Sequence, residues 1–411
     1  MSMVGKTIKW YRNQAGWTQE QLAEGICSPA YVSQLENDLI SSNNDVLLEI
    51  CKRLNINERK VSVHIDTDLL HKVDDWINSI HEFDIDKAKK YYEEIKDKID
   101  KDTHFDIEYL YHIALLGYYL ITDQLIQVDE VYDMISPYKD LYRERDHYSY
   151  YKFIGIYYKR KGLFLDALDH FKQAEKIIGD EGEPELFLVL ALTYSYLNKI
   201  LISNRYVNKA INGFHEKLYY NRIIECQIVL NQNHYFVGDF KNNYLLQRLI
   251  ESADEPTNDK TKANIYNHFG FVHYMQREYE KSIEYLLKIK QLNVNEADFL
   301  KSRHALASIY FNTNKINLAL KEISEGLQIA KQYNLERYTI KFKILQLSIE
   351  NNKERLVDYL KDYAIPFFRK SGELNALKNC YRTIGNTLYD LKRYKSAAEY
   401  FKQLDLDSLL L

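Results

Sequence analysis

Apolar side chains recur at helical spacing from the very start of the chain, and that spacing predicts a run of short helices. Val4, Ile8 and Tyr11 share one face with Lys6, Lys9 and Arg12 between them, giving a first helix from Val4 to Asn13 that Gly16 terminates. Thr18 and Gln21 form the Thr-x-x-Gln version of a capping box, so a second helix runs from Gln19 to about Glu24, buries Leu22 and Ala23, and stops at Gly25. Ser28 ahead of Pro29 suits an N-cap followed by proline in the first helical position; the third helix then carries Tyr31, Val32, Leu35 and Glu36. A fourth helix from Asp45 to Leu54 adds Val46, Leu47, Ile50 and Leu54 to close a small core. Two short helices joined by a tight turn containing glycine make the arrangement that sets a second helix into a DNA major groove.

Beyond this point one spacing repeats. Tyr151, Ile154, Gly155, Tyr158, Ala167, Phe171 and Ala174 match the tetratricopeptide pattern, in which small residues let two antiparallel helices approach and large ones fill the gap. The match returns at Leu190, Ala191, Tyr194, Ser203, Val207 and Ala210, and again at Phe269, Gly270, His273, Ser282, Leu286 and Ile289. Leu306, Ala307, Tyr310, Ala319 and Ile323 follow, and Ile384, Gly385, Leu388, Ala397, Phe401 and Leu404 close the series. The small-residue position falls at 76, 117, 155, 191, 231, 270, 307, 346 and 385, which predicts nine helical hairpins. Each hairpin has an apolar face that only a neighbour can bury, so they stack into a right-handed solenoid with first helices lining the concave side. The expected organisation is all-α: a helix-turn-helix domain at 1–60, a linker at 61–70 and the repeat array at 71–411. Leu406, Leu409 and Leu410 leave an apolar end on the last hairpin, expected to serve a subunit interface or to dock within the chain.

Composition narrows the partners. The 411 residues include only five prolines and fourteen glycines but 36 tyrosines, and the 46% hydrophobic content is ample for a mostly helical core. Cys27, Cys51, Cys226 and Cys380 have no metal-ligand spacing and are too sparse for a disulfide framework, so they are expected reduced and mostly buried. The first residues lack the apolar stretch of a signal peptide and no run approaches the ~18 apolar residues of a membrane span, so a cytoplasmic location away from membranes is expected. A formal charge of −4 excludes a polycation that coats nucleic acid; contact with DNA must be local. No P-loop, HExxH, GxSxG or Gly-rich nucleotide loop is present, and no cofactor, metal or enzymatic activity is expected. His81 with Glu82 and His215 with Glu216 are adjacent pairs that point apart on a helix, and they are expected in solvent.

The stretch from Thr18 to Asn37, TQEQLAEGICSPAYVSQLEN, resembles the lambda-repressor-like helix-turn-helix, and its short turn is similar to that of the peptide-pheromone regulators of the Rap, NprR, PlcR and PrgX group. With the repeat array behind it, the chain most resembles the NprR-like members. The resemblance implies that Gln19 and Asn37 sit on phosphates, while Pro29, Ala30, Ser33 and Gln34, with Ser28 at the head of the helix, face the bases. Gln34 is the one side chain of this set suited to a bidentate contact, most naturally with adenine, and Ala30 suits a thymine methyl. No Lys or Arg falls between Arg12 and Lys52, and Asp38 stands close to the expected backbone contact, so each copy should bind weakly and two copies should read a palindromic operator.

Positions two, five, nine and twelve of each first helix face the concave side. They nominate Gln232 and Tyr235, then Asn264, Asn267, Phe271 and Tyr274. The next unit gives Lys301, His304, Ser308 and Phe311 with Asn312 beside it, and the last gives Asn379, Arg382, Asn386 and Tyr389. Asparagine amides both donate and accept, so a row of them can clamp a peptide main chain, while the basic residues can hold a carboxylate. The family resemblance implies a short signalling peptide in this groove, quorum sensing, a homodimer or higher homo-oligomer, and a peptide that switches DNA binding or assembly. The alternative is a Rap-like regulator whose array binds the receiver domain of a sporulation phosphorelay response regulator, alone or in addition to DNA.

Overall fold

A computed structural model describes residues 4–37, 39–41, 43–61, 65–100, 102–136, 147–179, 182–238 and 257–410, the side chains of Gln14 and of 405–410 excepted. The described residues form helices and their connections, with no strand among them, and none of those helices is long and apolar enough to cross a membrane. Internal contacts divide the chain into two compact units, residues 1–153 and 154–411.

In the first unit the amino-terminal helices are α1 (Val4–Gln14), α2 (Gln19–Ala23), α3 (Pro29–Glu36) and α4 (Asn44–Leu54). Ile8, Leu22, Val32 and Ile50 are wholly buried at their meeting point. The capping box closes as its residue types require: Gln21 N donates to Thr18 Oγ1 at 3.1 Å and Thr18 N to Gln21 Oε1 at 2.8 Å. Gly25, at φ +71°, then takes the left-handed conformation that turns the chain from α2 towards α3. Arg53 on α4 donates to the carbonyls of Leu22 and Glu24, satisfying groups that the end of α2 leaves open. A 3₁₀ turn, Glu58–Val61, ends the domain, and from it Lys60 Nζ donates to Glu108 at 2.6 Å.

The array begins in this unit with α5 (Thr67–His81), α6 (Ile85–Ile95), α7 (Phe105–Ile121) and α8 (Leu125–Ile135). Trp76, the first repeat marker, is completely buried against the rings of Tyr92, Tyr111 and Tyr118. The chain then passes through α9 (His147–Lys161), which spans the boundary between the units. Residues 62–64 of the expected linker lie outside the described residues.

The second unit continues with α10 (Phe164–Ile178), α11 (Pro184–Tyr196), α12 (Ile200–Glu216), α13 (Tyr220–Phe236), α14 (Asp259–Met275) and α15 (Tyr279–Lys288). It closes with α16 (Phe299–Asn312), α17 (Ile316–Gln332), α18 (Glu336–Ile349), α19 (Lys353–Tyr359), α20 (Ile365–Ser371), α21 (Leu374–Asp390) and α22 (Tyr394–Leu410). A π turn over Leu360–Ala364 joins α19 to α20. Every one of the nine repeat markers falls on a first helix: α5, α7, α9, α11, α13, α14, α16, α18 and α21. The segment after Gly238, where the partner of α13 is expected, lies outside the described residues, as do the side chains of Leu406, Leu409 and Leu410.

Two local devices recur. A Cβ on Gly155, Gly270 or Gly385 would stand 2.5 Å from Phe171, Leu286 or Phe401 respectively, in each case sixteen residues further on, so glycine sets how closely the two helices of those hairpins approach. Each turn after a first helix also carries one left-handed residue, at 83, 123, 162, 198, 238, 277, 314, 351 and 392. Only Gly162 and Gly238 are glycines among these nine, so the other seven turns hold a side chain in a conformation that costs energy outside such a setting.

The second unit also curls until repeats far apart in sequence touch. Arg337 on α18 donates from Nε and Nη2 to the two oxygens of Glu373, both at 2.6 Å, and Lys341 Nζ adds a third bond at 2.8 Å. The same guanidinium lies 5.3 Å from the Phe164 ring and 5.0 Å from the Tyr196 ring. Beside it Lys161 Nζ donates to the Asn334 carbonyl at 3.3 Å. A Cβ on Gly162 would strike Arg337, and one on Gly372 would strike Leu197 and Leu165. The third and fourth hairpins are thus clasped to the eighth and ninth.

Candidate functional sites on the third helix and the inner face

Ser28 caps α3 by accepting from Tyr31 N at 3.2 Å. Val32, Leu35 and Glu36 face the core, so the opposite side of the helix presents Ser28, Pro29, Ala30, Gln34 and Asn37 to solvent, with Ser33 half-buried among them. Six of the seven residues expected at DNA therefore share one accessible face. The seventh, Gln19, is half-buried beside it and donates to Glu36 Oε2 at 2.8 Å, while Asn37 Nδ2 donates to the Ser33 carbonyl at 2.8 Å. Asp38 lies outside the described residues.

Beneath this face is a pair that spacing alone does not disclose. Arg12 Nε and Nη2 donate to Glu36 at 2.5 and 2.9 Å, and Nη1 donates to the Trp17 carbonyl at 2.7 Å. Both residues are buried, so Arg12, counted from sequence among the domain's basic residues, is neutralised inside it and adds no charge to the reading face. The available signal was a glutamate on the apolar row of α3, a position that demands a cationic partner.

On the array, Tyr235 and Asn267 are buried, while Gln232, Asn264, Phe271, Tyr274, His304, Ser308 and Phe311 are half-buried. Lys301, Asn312, Asn379, Arg382, Asn386 and Tyr389 are exposed. The structure brings some of them together: Asn312 Nδ2 reaches Tyr274 Oη at 3.5 Å, Tyr235 meets Phe271 edge-on at 6.4 Å, and Arg382 Nη1 donates to Asn379 Oδ1 at 3.1 Å. Among the described residues Asn267 Oδ1 has no hydrogen-bond partner, and neither has Nδ2 of the adjacent repeat's Asn231, whose Oδ1 is 2.5 Å from His268 Nε2. Burial keeps His268 neutral, pushed down to about 3.

Of the Arg337 cluster, Lys301 and His304 were nominated from sequence, whereas Tyr196, Arg337, Lys341 and Glu373 were missed. Its members are spread over α11, α16, α18 and the residue before α21, and they meet only because the array curls. Burial works against a charge on Glu373, yet Arg337 and Lys341 hold its carboxyl down at about 2. Burial alone would raise the Tyr196 phenol, but Lys301, Arg337 and Lys341 outweigh it and draw Tyr196 below its ordinary value. His304, packed edge-on to Phe342 at 5.5 Å, is pushed down to about 3, first by burial and then by Lys341 and Arg337.

One expectation fails outside these sites. His81 is half-buried in the first unit, with Nε2 2.8 Å from Ser149 Oγ and Nδ1 3.0 Å from the buried Lys152, because the end of α5 meets α9 there; Glu82, His215 and Glu216 are exposed.

The helix-turn-helix family model HTH_3 matches residues 8–61, which span α1 to the 3₁₀ turn. The transcriptional activator NprA of Geobacillus stearothermophilus is 25% identical over 404 residues, covering 93% of this chain and 97% of that one. Response regulator aspartate phosphatase I of Bacillus subtilis (strain 168) is 22% identical over 67% of this chain and 74% of its own length. Among solved structures, NprR in complex with its cognate peptide NprX superposes with a TM-score of 0.69 at 19% identity, covering 85% of this chain and all of that one, a likeness of fold. With a helix-turn-helix domain at residues 8–61 and a match to NprA along nearly its whole length, this chain is related to the regulators NprA, NprR and the Rap proteins.

Proposed function

We propose that the chain is a cytoplasmic transcriptional regulator and not an enzyme. Residues 1–60 read a palindromic operator and residues 71–411, joined through 61–70, bind a short signalling peptide that switches DNA binding or oligomeric state. The observation that carries this reading is the capped α3 with its polar, accessible face, joined to an array that matches NprA from end to end. Ser28, Pro29, Ala30, Ser33, Gln34 and Asn37 supply the contact face, with Gln34 as the base reader. Gln19 is oriented by Glu36 and positions the helix. That face carries no cation, so one domain binds weakly and a homodimer or higher homo-oligomer is needed to hold two half-sites. Gln232, Tyr235, Asn264, Asn267, Tyr274, Lys301, His304, Asn312, Asn379, Arg382 and Asn386 form the peptide face. The peptide acts by preferring one curvature of the array, and it can shift the protein only by its difference in affinity for the two forms.

The test is selection of genomic DNA fragments by the purified full-length protein, with and without synthetic peptides encoded by small open reading frames beside its gene. A palindromic site enriched only with one peptide supports the reading. The same enrichment and the same assembly with and without a bound peptide refute the switch. The likeness to a response regulator aspartate phosphatase favours one second reading, in which the array binds a receiver domain; capture of a phosphorylated receiver domain tests it.

A further inference from the structure

Six side chains from three first helices and the segment before a fourth come together in the second unit: Tyr196 on α11, Lys301 and His304 on α16, Arg337 and Lys341 on α18, and Glu373 just ahead of α21; Arg337 lies 5.0 Å from the Tyr196 ring, and His304, one turn after Lys301, packs at 5.5 Å on Phe342, the neighbour of Lys341. The charges do not balance directly. Arg337 and Lys341 both bond one carboxylate, Glu373, and Lys301 makes no hydrogen bond or ion pair among the described residues. Asp298, whose charge reaches Tyr338, is a second carboxylate near the cluster. Lys301 is exposed, so its ammonium is available, while Arg337, Lys341 and Glu373 are sheltered from water, where a charge-assisted bond is strongest. His304 is neutral and can donate or accept without adding repulsion.

We propose that Lys301 and Lys341, flanked by Tyr196 and His304, form a seat for a carboxylate of the bound peptide. This proposal rests on the peptide-binding reading and adds to it the class of ligand: an extended peptide that places either an acidic side chain or its free C-terminus between α11, α16 and α18. The whole chain has a formal charge of −4, so the preference for an anionic ligand comes from this local arrangement and not from the overall field. Tyr196 has a second part: its hydroxyl can donate to the carboxylate while its ring stays on Arg337. Lys301 contributes most to selectivity because nothing in the described structure competes for it.

The experiment uses the full-length protein and a pooled library of synthetic hexapeptides made in two forms, free acids and C-terminal amides, with Asp and Asn exchanged at each position. Retained peptides are identified by mass spectrometry for the wild type and for Lys301→Met and Lys301→Arg, and affinities of the best binders are measured by titration. The expected result is retention of peptides with a carboxylate about tenfold or more over their neutral counterparts. Lys301→Met should abolish that preference and Lys301→Arg should restore it. Preference among the amides for Asp assigns the seat to a side chain; preference for free acids whatever the sequence assigns it to the terminus. Retention of peptides without either preference, or a preference unchanged in Lys301→Met, overturns the seat while leaving peptide binding intact. Retention of no peptide overturns both.

Discussion

Replacing Arg337 with methionine removes a central one of the links that hold the third and fourth hairpins to the eighth and ninth. The wild-type side chain makes two 2.6 Å bonds to Glu373 and touches the rings of Phe164, Tyr196 and Tyr338 at 5.3, 5.0 and 5.2 Å. The side chains of Arg337 and Glu373 are only 12% and 6% exposed, so solvent screens the pair little. Removing one partner of a buried pair costs about 3–5 kcal/mol, and loss of the ring contacts adds to it. Lys341 stays on Glu373 at 2.8 Å and methionine keeps part of the packing, so the lower end, about 3 kcal/mol, is expected. That energy corresponds to roughly a 100-fold rise in local opening. Hydrogen exchange followed by mass spectrometry should therefore show faster exchange in two segments, 161–165 and 334–341, which are distant in sequence. Segments in the first unit serve as the internal control, and small-angle scattering should report a more open particle. Arg337→Lys keeps the charge but loses the planar fork, and should fall in between. If exchange at both segments in Arg337→Met stays within about threefold of wild type, the clasp does not hold the array and the reasoning fails.

Other expectations follow from the same structure. Gln34→Ala should abolish selection of a specific operator while leaving the melting temperature unchanged, since the side chain is exposed and the helix is capped elsewhere; unchanged selection would remove Gln34 as the base reader. Arg12→Met should destabilise α1–α4 by about 3 kcal/mol because Glu36 is left buried with Gln19 as its remaining side-chain partner, and Arg12→Met with Glu36→Leu should recover most of that loss; hydrogen exchange in segments 4–54 reads both. Acid should weaken the array in two stages. His268 is neutral when folded, so its share of stability is whole above pH 6.5 and falls as pH drops from there towards 3, at about 1.4 kcal/mol per unit; Glu373 contributes above about pH 4.5 and is lost towards 2. Urea titrations from pH 7.5 to 5 should show this decline; His304, likewise held neutral down to about 3, adds its own share, so His268→Gln should lessen the slope without removing it, and a flat wild-type profile would contradict both buried neutral histidines.

How much of this was legible in the sequence depends on the range over which each feature is encoded. The nine first helices were readable because Gly155, Ala191, Gly270, Ala307 and Gly385 announce a close approach whose partner lies in the same hairpin, as Phe171 does for Gly155. The exposed face of α3 was readable for a similar reason: Ser28, Pro29 and the apolar row of Val32 and Leu35 fix its start and its orientation within nine residues. Arg12 and Glu36 are 24 residues apart, and only the oddity of a glutamate on an apolar row hinted at their pairing. Arg337 gave no such hint. Position 337 opens a first helix, where an arginine is unremarkable, and the rings it touches at 164 and 196 belong to other hairpins altogether. Local pattern thus defines each hairpin and its stacking on the next, whereas the curvature of the array is set by side chains such as Arg337 that bridge many hairpins at once. On the proposed function a bound peptide would work on the same quantity, since its contacts would span several first helices. The residues through which a ligand can change the shape of the array are therefore the ones that repeat periodicity says least about, and Lys301, Arg337 and Lys341 stand where those two requirements meet.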